Sequence, residues 1–143
     1  MSGVGVMGDN GATVAWESSF NFGASIAADD FSGDGAADLL IGAPSDAREA
    51  DGAGSVWLFA GPISPTASLG RTDATLELVV PLSDTPDHLS LGTQVAGCDL
   101  SGDGVKSAVF TGDGSHYTSG DRPGTLFVVH TLDQTGTLNP VSY

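Results

Sequence analysis

Asp30, Ser32, Asp34 and Asp38 occupy positions 1, 3, 5 and 9 of a short segment whose sixth residue is Gly35. Alternate residues of a tight loop can turn their side chains toward a common centre, and the carbonyl of Ala36, at position 7, can join them. Three carboxylates, a hydroxyl and a carbonyl form an all-oxygen donor set. Such a set suits Ca²⁺, which takes about 6–8 oxygens, better than Mg²⁺, which favours strict octahedral geometry and keeps its waters. An EF-hand is excluded, because position 12 is Ile41 rather than a bidentate glutamate and no helical pattern flanks the loop. The rival reading is an Asp/Gly hairpin turn with no metal. Three acids within nine residues repel one another without a cation, which favours calcium.

A second, weaker loop follows, with Asp99, Ser101, Asp103 and the Val105 carbonyl at the matching positions. Here Ser107 replaces the final carboxylate and Lys106 adds a positive neighbour, so lower affinity is expected.

The two loops belong to an internal repeat. At an offset of 69, Gly23, Ala27, Asp30, Ser32, Gly33, Asp34 and Gly35 meet Gly92, Ala96, Asp99, Ser101, Gly102, Asp103 and Gly104. The register then slips by one, and residues 54–59 match 124–129 at an offset of 70. Runs enriched in β-branched and aromatic residues, punctuated by Gly, Asp and Pro, predict four strands per copy. They fall at 22–28, 38–42, 54–60 and 75–80, then at 91–97, 107–111, 124–130 and 137–142. Ahead of them, Val4–Met7 and Ala12–Trp16 predict two more. The polar stretch 44–53 is the best helical candidate, but it lacks an apolar stripe and reads as a loop. The acids agree with an all-β chain: 15 of the 18 are Asp, a turn and metal-loop residue, against three Glu.

A repeat of four short strands marks a β-propeller blade. The chain divides into an incomplete N-terminal blade segment (1–20), a first blade with its acid loop (21–83) and a second, degenerate blade (84–143). About two and a half blades cannot close a ring of about four to eight, so the fold expected is a partial propeller completed by self-association or by further sequence.

Phe22-Gly23-Ala24-Ser25-Ile26-Ala27, then Asp30 through Leu39, then Ile41-Gly42-Ala43-Pro44 strongly resemble the FG-GAP repeat of integrin alpha-subunit propellers and related bacterial proteins. Gly54 through Pro62 resemble that repeat's third strand. The second copy departs from the pattern, with Leu91 for the Phe, Ser107 for the last Asp, and Gly112-Asp113-Gly114 where Gly-Ala-Pro would stand. The resemblance implies a seven-bladed propeller in the parent family, calcium between a blade's first two strands, and a role in adhesion or protein recognition. It also points to an exported or surface protein. The N-terminus shows neither the basic nor the apolar region of a signal peptide.

Charge narrows the partners. Four Lys and Arg against 18 Asp and Glu give a net −14 over 143 residues, which repels nucleic acid and anionic lipid, and no apolar run approaches the roughly 18 residues of a membrane span. Cys98 stands alone, so no intrachain disulfide forms. No metalloprotease, serine-hydrolase or phosphate-loop motif is present, and a non-enzymatic module is expected. His130 ends a predicted strand and reads as a packed or edge residue. Arg48, His88, His116, Tyr117 and Arg122 fall on loops at the face opposite the acid loops and are candidate ligand contacts, with Asp46, Asp51 and Asp121 beside them. The remaining acids are expected on the solvated surface. A glycan-binding lectin or a glycan-active propeller enzyme is the alternative reading.

Overall fold

The structure is a computed structural model that describes short strands at 2–3, 13–14 and 16–17 and residues 20–48, 52–80, 89–113 and 124–130. It is all-β, with a single 3₁₀ turn at Arg71–Asp73 among the described residues. The strands are β1 (Ser2–Gly3), β2 (Thr13–Val14), β3 (Trp16–Glu17), β4 (Ser25–Asp29), β5 (Asp38–Ala43), β6 (Ser55–Phe59), β7 (Ser68–Leu69), β8 (Leu76–Leu78), β9 (Leu91–Cys98), β10 (Ser107–Gly112) and β11 (Thr125–Val129). The first repeat forms a four-stranded antiparallel sheet in the order β4-β5-β6-β8, and the second a three-stranded antiparallel sheet in the order β9-β10-β11. β1 pairs with β3, and β2 lies parallel to β7.

Successive strands joined by tight turns can only run antiparallel, and alternation along each strand then decides which side chains face which layer. Leu40 pairs with Leu58, and Leu58 with Leu76, so these three share one face of the first sheet. Ile41 pairs with Trp57 and shares the other face. The Leu40 face, with Val56 and Leu78, packs against Ala108, Phe110 and Phe127 of the second sheet to make the main core. Phe110 and Phe127 stack there, with ring centroids 5.6 Å apart. On the far side Ile41, Ala43, Trp57 and Phe59 form a second cluster, covered by Phe20, Phe22, Ile63, Leu69 and Ala74. The two sheets are thus stacked face to face like adjacent blades of a partial propeller, and no closed ring is formed among the described residues.

The repeat is also visible in the backbone. Asn21 and Ser90 both have φ of 55°, Gly23 and Gly92 have 87° and 90°, and Gly33 and Gly35 (79° and 87°) correspond to Gly102 and Gly104 (77° and 94°). Glycine populates this half of φ space at little cost, which is why both loops place it at these turns.

The described strands of the two repeats fall within two residues of the sequence expectation except at the start of β4, and β7 (Ser68–Leu69) is not among those expected. β4 begins at Ser25 rather than residue 22, because the left-handed Asn21 and Gly23 make Phe22–Gly23 a turn. β1 (Ser2–Gly3) is additional; of the two N-terminal strands expected, 12–16 overlaps β2 (Thr13–Val14) and the start of β3 (Trp16–Glu17), while 4–7 lies outside the described residues. The fourth strand expected at 137–142 also lies outside them. Residues 44–48, the described start of the helical candidate, form a turn as expected of a loop.

Candidate functional site

The first acid loop joins β4 to β5 and is closed by its own backbone. Asp30 accepts the N–H groups of Gly33 (2.7 Å) and Asp34 (3.1 Å) on Oδ1 and that of Gly35 (2.9 Å) on Oδ2. Asp34 Oδ1 accepts the N–H of Ala36 at 2.7 Å. Asp38 is fully buried and acts as the anchor: Oδ2 accepts Phe31 N–H (2.9 Å) and Ser32 N–H (2.8 Å), and Oδ1 accepts Gly61 N–H (2.7 Å). A buried carboxylate is retained only with such partners. Asp38 thereby ties three pieces together: the start of its own loop, β5, and the segment leaving β6.

The second loop repeats this closure with fewer ties. Asp99 accepts Gly102 N–H (2.6 Å) and Gly104 N–H (3.0 Å), and Asp103 accepts Val105 N–H (2.9 Å). The Gly102 bond, with that from Gly104, holds the Asp99 carboxyl below the usual aspartate range. Ser101 Oγ lies 3.4 Å from Asp99 Oδ1. Where the first loop has Asp38, the second has Ser107, fully buried, whose Oγ is 3.1 Å from His130 Nδ1. His130 Nε2 in turn lies 3.5 Å from Asp103 Oδ2. By residue type this is a Ser–His–Asp chain, but a fully buried hydroxyl has no access to a substrate, and the arrangement closes the loop rather than arming a nucleophile.

The two loops lie side by side. Lys106 N–H donates to the Asp30 carbonyl at 3.2 Å, and the Gly33 α-carbon faces the Val105 side chain.

The donor set of the first loop fits a hard cation in kind: carboxylates, a hydroxyl and a carbonyl. Each carboxylate oxygen has about two acceptor sites, so Asp30 Oδ2 and Asp38 Oδ1, with one N–H bond each, keep capacity for another partner. The arrangement itself is not gathered around a point: among the described residues, no group of three or more His, Cys, Asp or Glu side chains stands close enough together to hold a metal ion.

At the other end of β5, Arg48 lies in a clasp. Its Nε bonds both oxygens of Asp46, at 2.8 and 3.0 Å, and its Nη2 contacts Asp46 and Glu77. Its guanidinium lies over the Trp57 ring, 4.8 Å from the centroid, and 5.5 Å from that of Phe20. Asp46 is 3 % exposed, Ser55 Oγ donates to it at 2.7 Å, and Trp57 Nε1 donates to Ser55 Oγ at 2.7 Å. Burial pushes the Asp46 carboxyl up, but the bonds from Arg48 and Ser55 outweigh this and hold it below its ordinary value. Asp46 and Arg48, both expected on the candidate ligand face, are therefore spent on internal partners: each other, Ser55 and Glu77. Of the other proposed ligand contacts, His88, His116, Tyr117 and Arg122, with Asp51 and Asp121, lie outside the described residues.

Sequence reasoning did not find the Glu77 and Trp57 contacts of Arg48, the Gly61 bond to Asp38, or the reach of His130 into the second loop. Only the last left a signal: His130 follows the third strand of its copy, as Ala60-Gly61 follows that of the first.

Residues 22–59 match the FG-GAP repeat family model. No curated protein matches the chain. The match covers the turn, β4, the acid loop, β5 and β6, and the equivalent backbone angles extend the same plan to the second sheet. The chain carries an FG-GAP repeat, the repeat of integrin-like β-propeller modules, at residues 22–59.

Proposed function

We propose that this chain is a non-enzymatic, calcium-binding recognition module of the integrin-like propeller kind, acting in adhesion, protein recognition or assembly. The observation that carries the reading is the FG-GAP match over a loop whose oxygen donors and left-handed glycines recur in the neighbouring blade. Asp30, Ser32, Asp34, Asp38 and the Ala36 carbonyl would hold the ion in the first blade. Asp99, Ser101, Asp103, Ser107 and the Val105 carbonyl would form a weaker second site.

Calcium supplies charge neutralisation there and no reaction chemistry. The loop is already closed by backbone N–H groups, so the ion stiffens a turn that stands without it, and the rigid loop fixes the spacing of the first two strands. Millimolar calcium outside cells matches the affinity range of about 10⁻⁴–10⁻³ M typical of extracellular modules.

The test is thermal melting of the wild type and Asp34→Ala in calcium and in chelator. Asp34 is exposed and accepts one N–H, so its loss spares the fold. Calcium at about 100 times its Kd stabilises by about 2.7 kcal/mol, which raises Tm by roughly 8 °C for a chain of this size. Asp34→Ala should lose most of that gain. Equal wild-type melting in calcium and chelator would remove calcium from the reading.

A further inference from the structure

Four large apolar side chains are exposed among the described residues: Ile26 (61 %), Leu100 (59 %), Leu126 (63 %) and Val128 (50 %). Shifted by the repeat offset of 69 or 70, they become Val95, Phe31, Val56 and Leu58. Phe31, Val56 and Leu58 are buried in the cluster between the two sheets, and Val95 packs against it. The large apolar side chains left exposed among the described residues are therefore repeat counterparts of residues in the interface already made once. The exposed residues divide between two sites. Leu100, Leu126 and Val128 correspond to the first blade's side of that interface, and Ile26 to the second blade's side.

The backbone shows the same division. In the existing interface the turn Ser90–Gly92 seats on the first blade. Ser90 and Leu91 N–H donate to the carbonyls of Gly52 (2.8 Å) and Ala53 (2.9 Å), and Ser25 Oγ donates to the Gly92 carbonyl at 2.7 Å. Gly92 lies so close to Ser55, Gly42 and Ala43 that a Cβ would overlap their backbone. The counterpart seat on the second blade is an open cleft of about 380 Å³, lined by Thr111, Gly112, Asp113, Gly124, Thr125 and Leu126. The counterpart turn holds the same left-handed angles at Asn21 and Gly23, yet a Cβ on Gly23 would meet nothing within 4 Å.

We propose that a second copy of this chain docks its Asn21–Ala24 turn and Ile26 into the cleft between β10 and β11 and onto Leu126 and Val128, repeating head to tail the turn side of the blade-to-blade contact. Ile41 and Trp57, the counterparts of Phe110 and Phe127, are already covered in the second cluster and take no part. Gln94 stands at the repeat position of Ser25 and is placed to donate to the incoming Gly23 carbonyl. The proposal rests on reading both units as blades. Copies carrying −14 each repel and Asp113 adds a carboxylate at the cleft, while Ala96, Val109, Leu126 and Val128 on the receiving face are uncharged, so association strengthens with salt. A head-to-tail contact uses two different patches, so each copy can both give and receive.

The test is solution mass by light scattering of the full chain at about 1 M salt, where charges are screened beyond roughly 3 Å. Wild type should show at least twice the 14.3 kDa of one copy. Leu126→Asp with Val128→Asp removes the receiving face, and Gly23→Asn blocks the turn with a residue that tolerates the left-handed region. Circular dichroism checks that both variants fold; all three positions are exposed. Each variant alone should be monomeric, and an equimolar mixture should form a one-to-one dimer, because each supplies the half the other lacks. A monomeric wild type overturns the proposal, as does a mixture that stays monomeric. Gly23→Asn that still dimerises alone also overturns it, pointing instead to a two-fold contact between receiving faces. Calcium-dependent melting with a monomeric wild type would sink this interface and leave the module reading standing.

Discussion

Replacing Asp38 with Asn separates a metal ligand from a structural anchor. Asp38 is fully buried and accepts three N–H groups, from Phe31, Ser32 and Gly61, at 2.7–2.9 Å. Asparagine has the same shape but one acceptor oxygen. If that oxygen serves the Phe31 and Ser32 pair, the amide nitrogen faces Gly61 N–H, donor against donor. One charge-assisted bond is lost, at about 2 kcal/mol, and two others fall from charged to neutral strength, at about 0.5–1 kcal/mol each. The total is about 3–4 kcal/mol, or roughly 10 °C in Tm for a chain of this length. The assay is thermal melting in chelator, where no metal contributes. Asp38→Asn should melt roughly 10 °C below wild type there, and further below in calcium. A variant within about 2 °C of wild type in chelator would refute the anchor, because one charge-assisted bond cannot be lost and two others weakened at so small a cost.

Other outcomes follow from the clasp and the blade contact. Arg48→Met keeps an unbranched apolar side chain but removes the guanidinium over Trp57 and strands the buried Asp46 carboxylate, and chemical denaturation should report a loss of about 3 kcal/mol, the low end for breaking a buried pair, since Arg48 is 21 % exposed. The folded Asp46 carboxyl titrates below its ordinary 3.8, so its contribution is present above that value and is lost as pH falls through the lowered folded value; the gap between wild type and Arg48→Met should narrow below about pH 3.8. Gly92→Ala should destabilise by about 2–5 kcal/mol, combining left-handed strain with overlap onto Ser55 and Gly42, whereas Gly23→Ala at the same φ should cost only about 1–2 kcal/mol in the monomer. Equal losses in urea melts would show that the close blade contact contributes nothing.

The all-β class, the two-copy plan and the position of both acid loops were legible in the chain because they rest on local spacing. Left-handed glycines at 33 and 35 and again at 102 and 104 follow from a nine-residue pattern that needs no distant partner. The offset of 69 carried the blade reading, since a repeated unit cannot bury its faces alone. What only the tertiary structure decided is where each loop's charges go. Asp38 looks like a ligand in sequence, yet its N–H partners include Gly61, 23 residues on. Arg48 reads as an exposed loop cation, yet Glu77 and Trp57, brought beside it by the register of β6 and β8, turn it inward. Sheet pairing joins residues far apart in the chain, so side-chain partners across strands are set by register and stacking, which a local pattern does not contain.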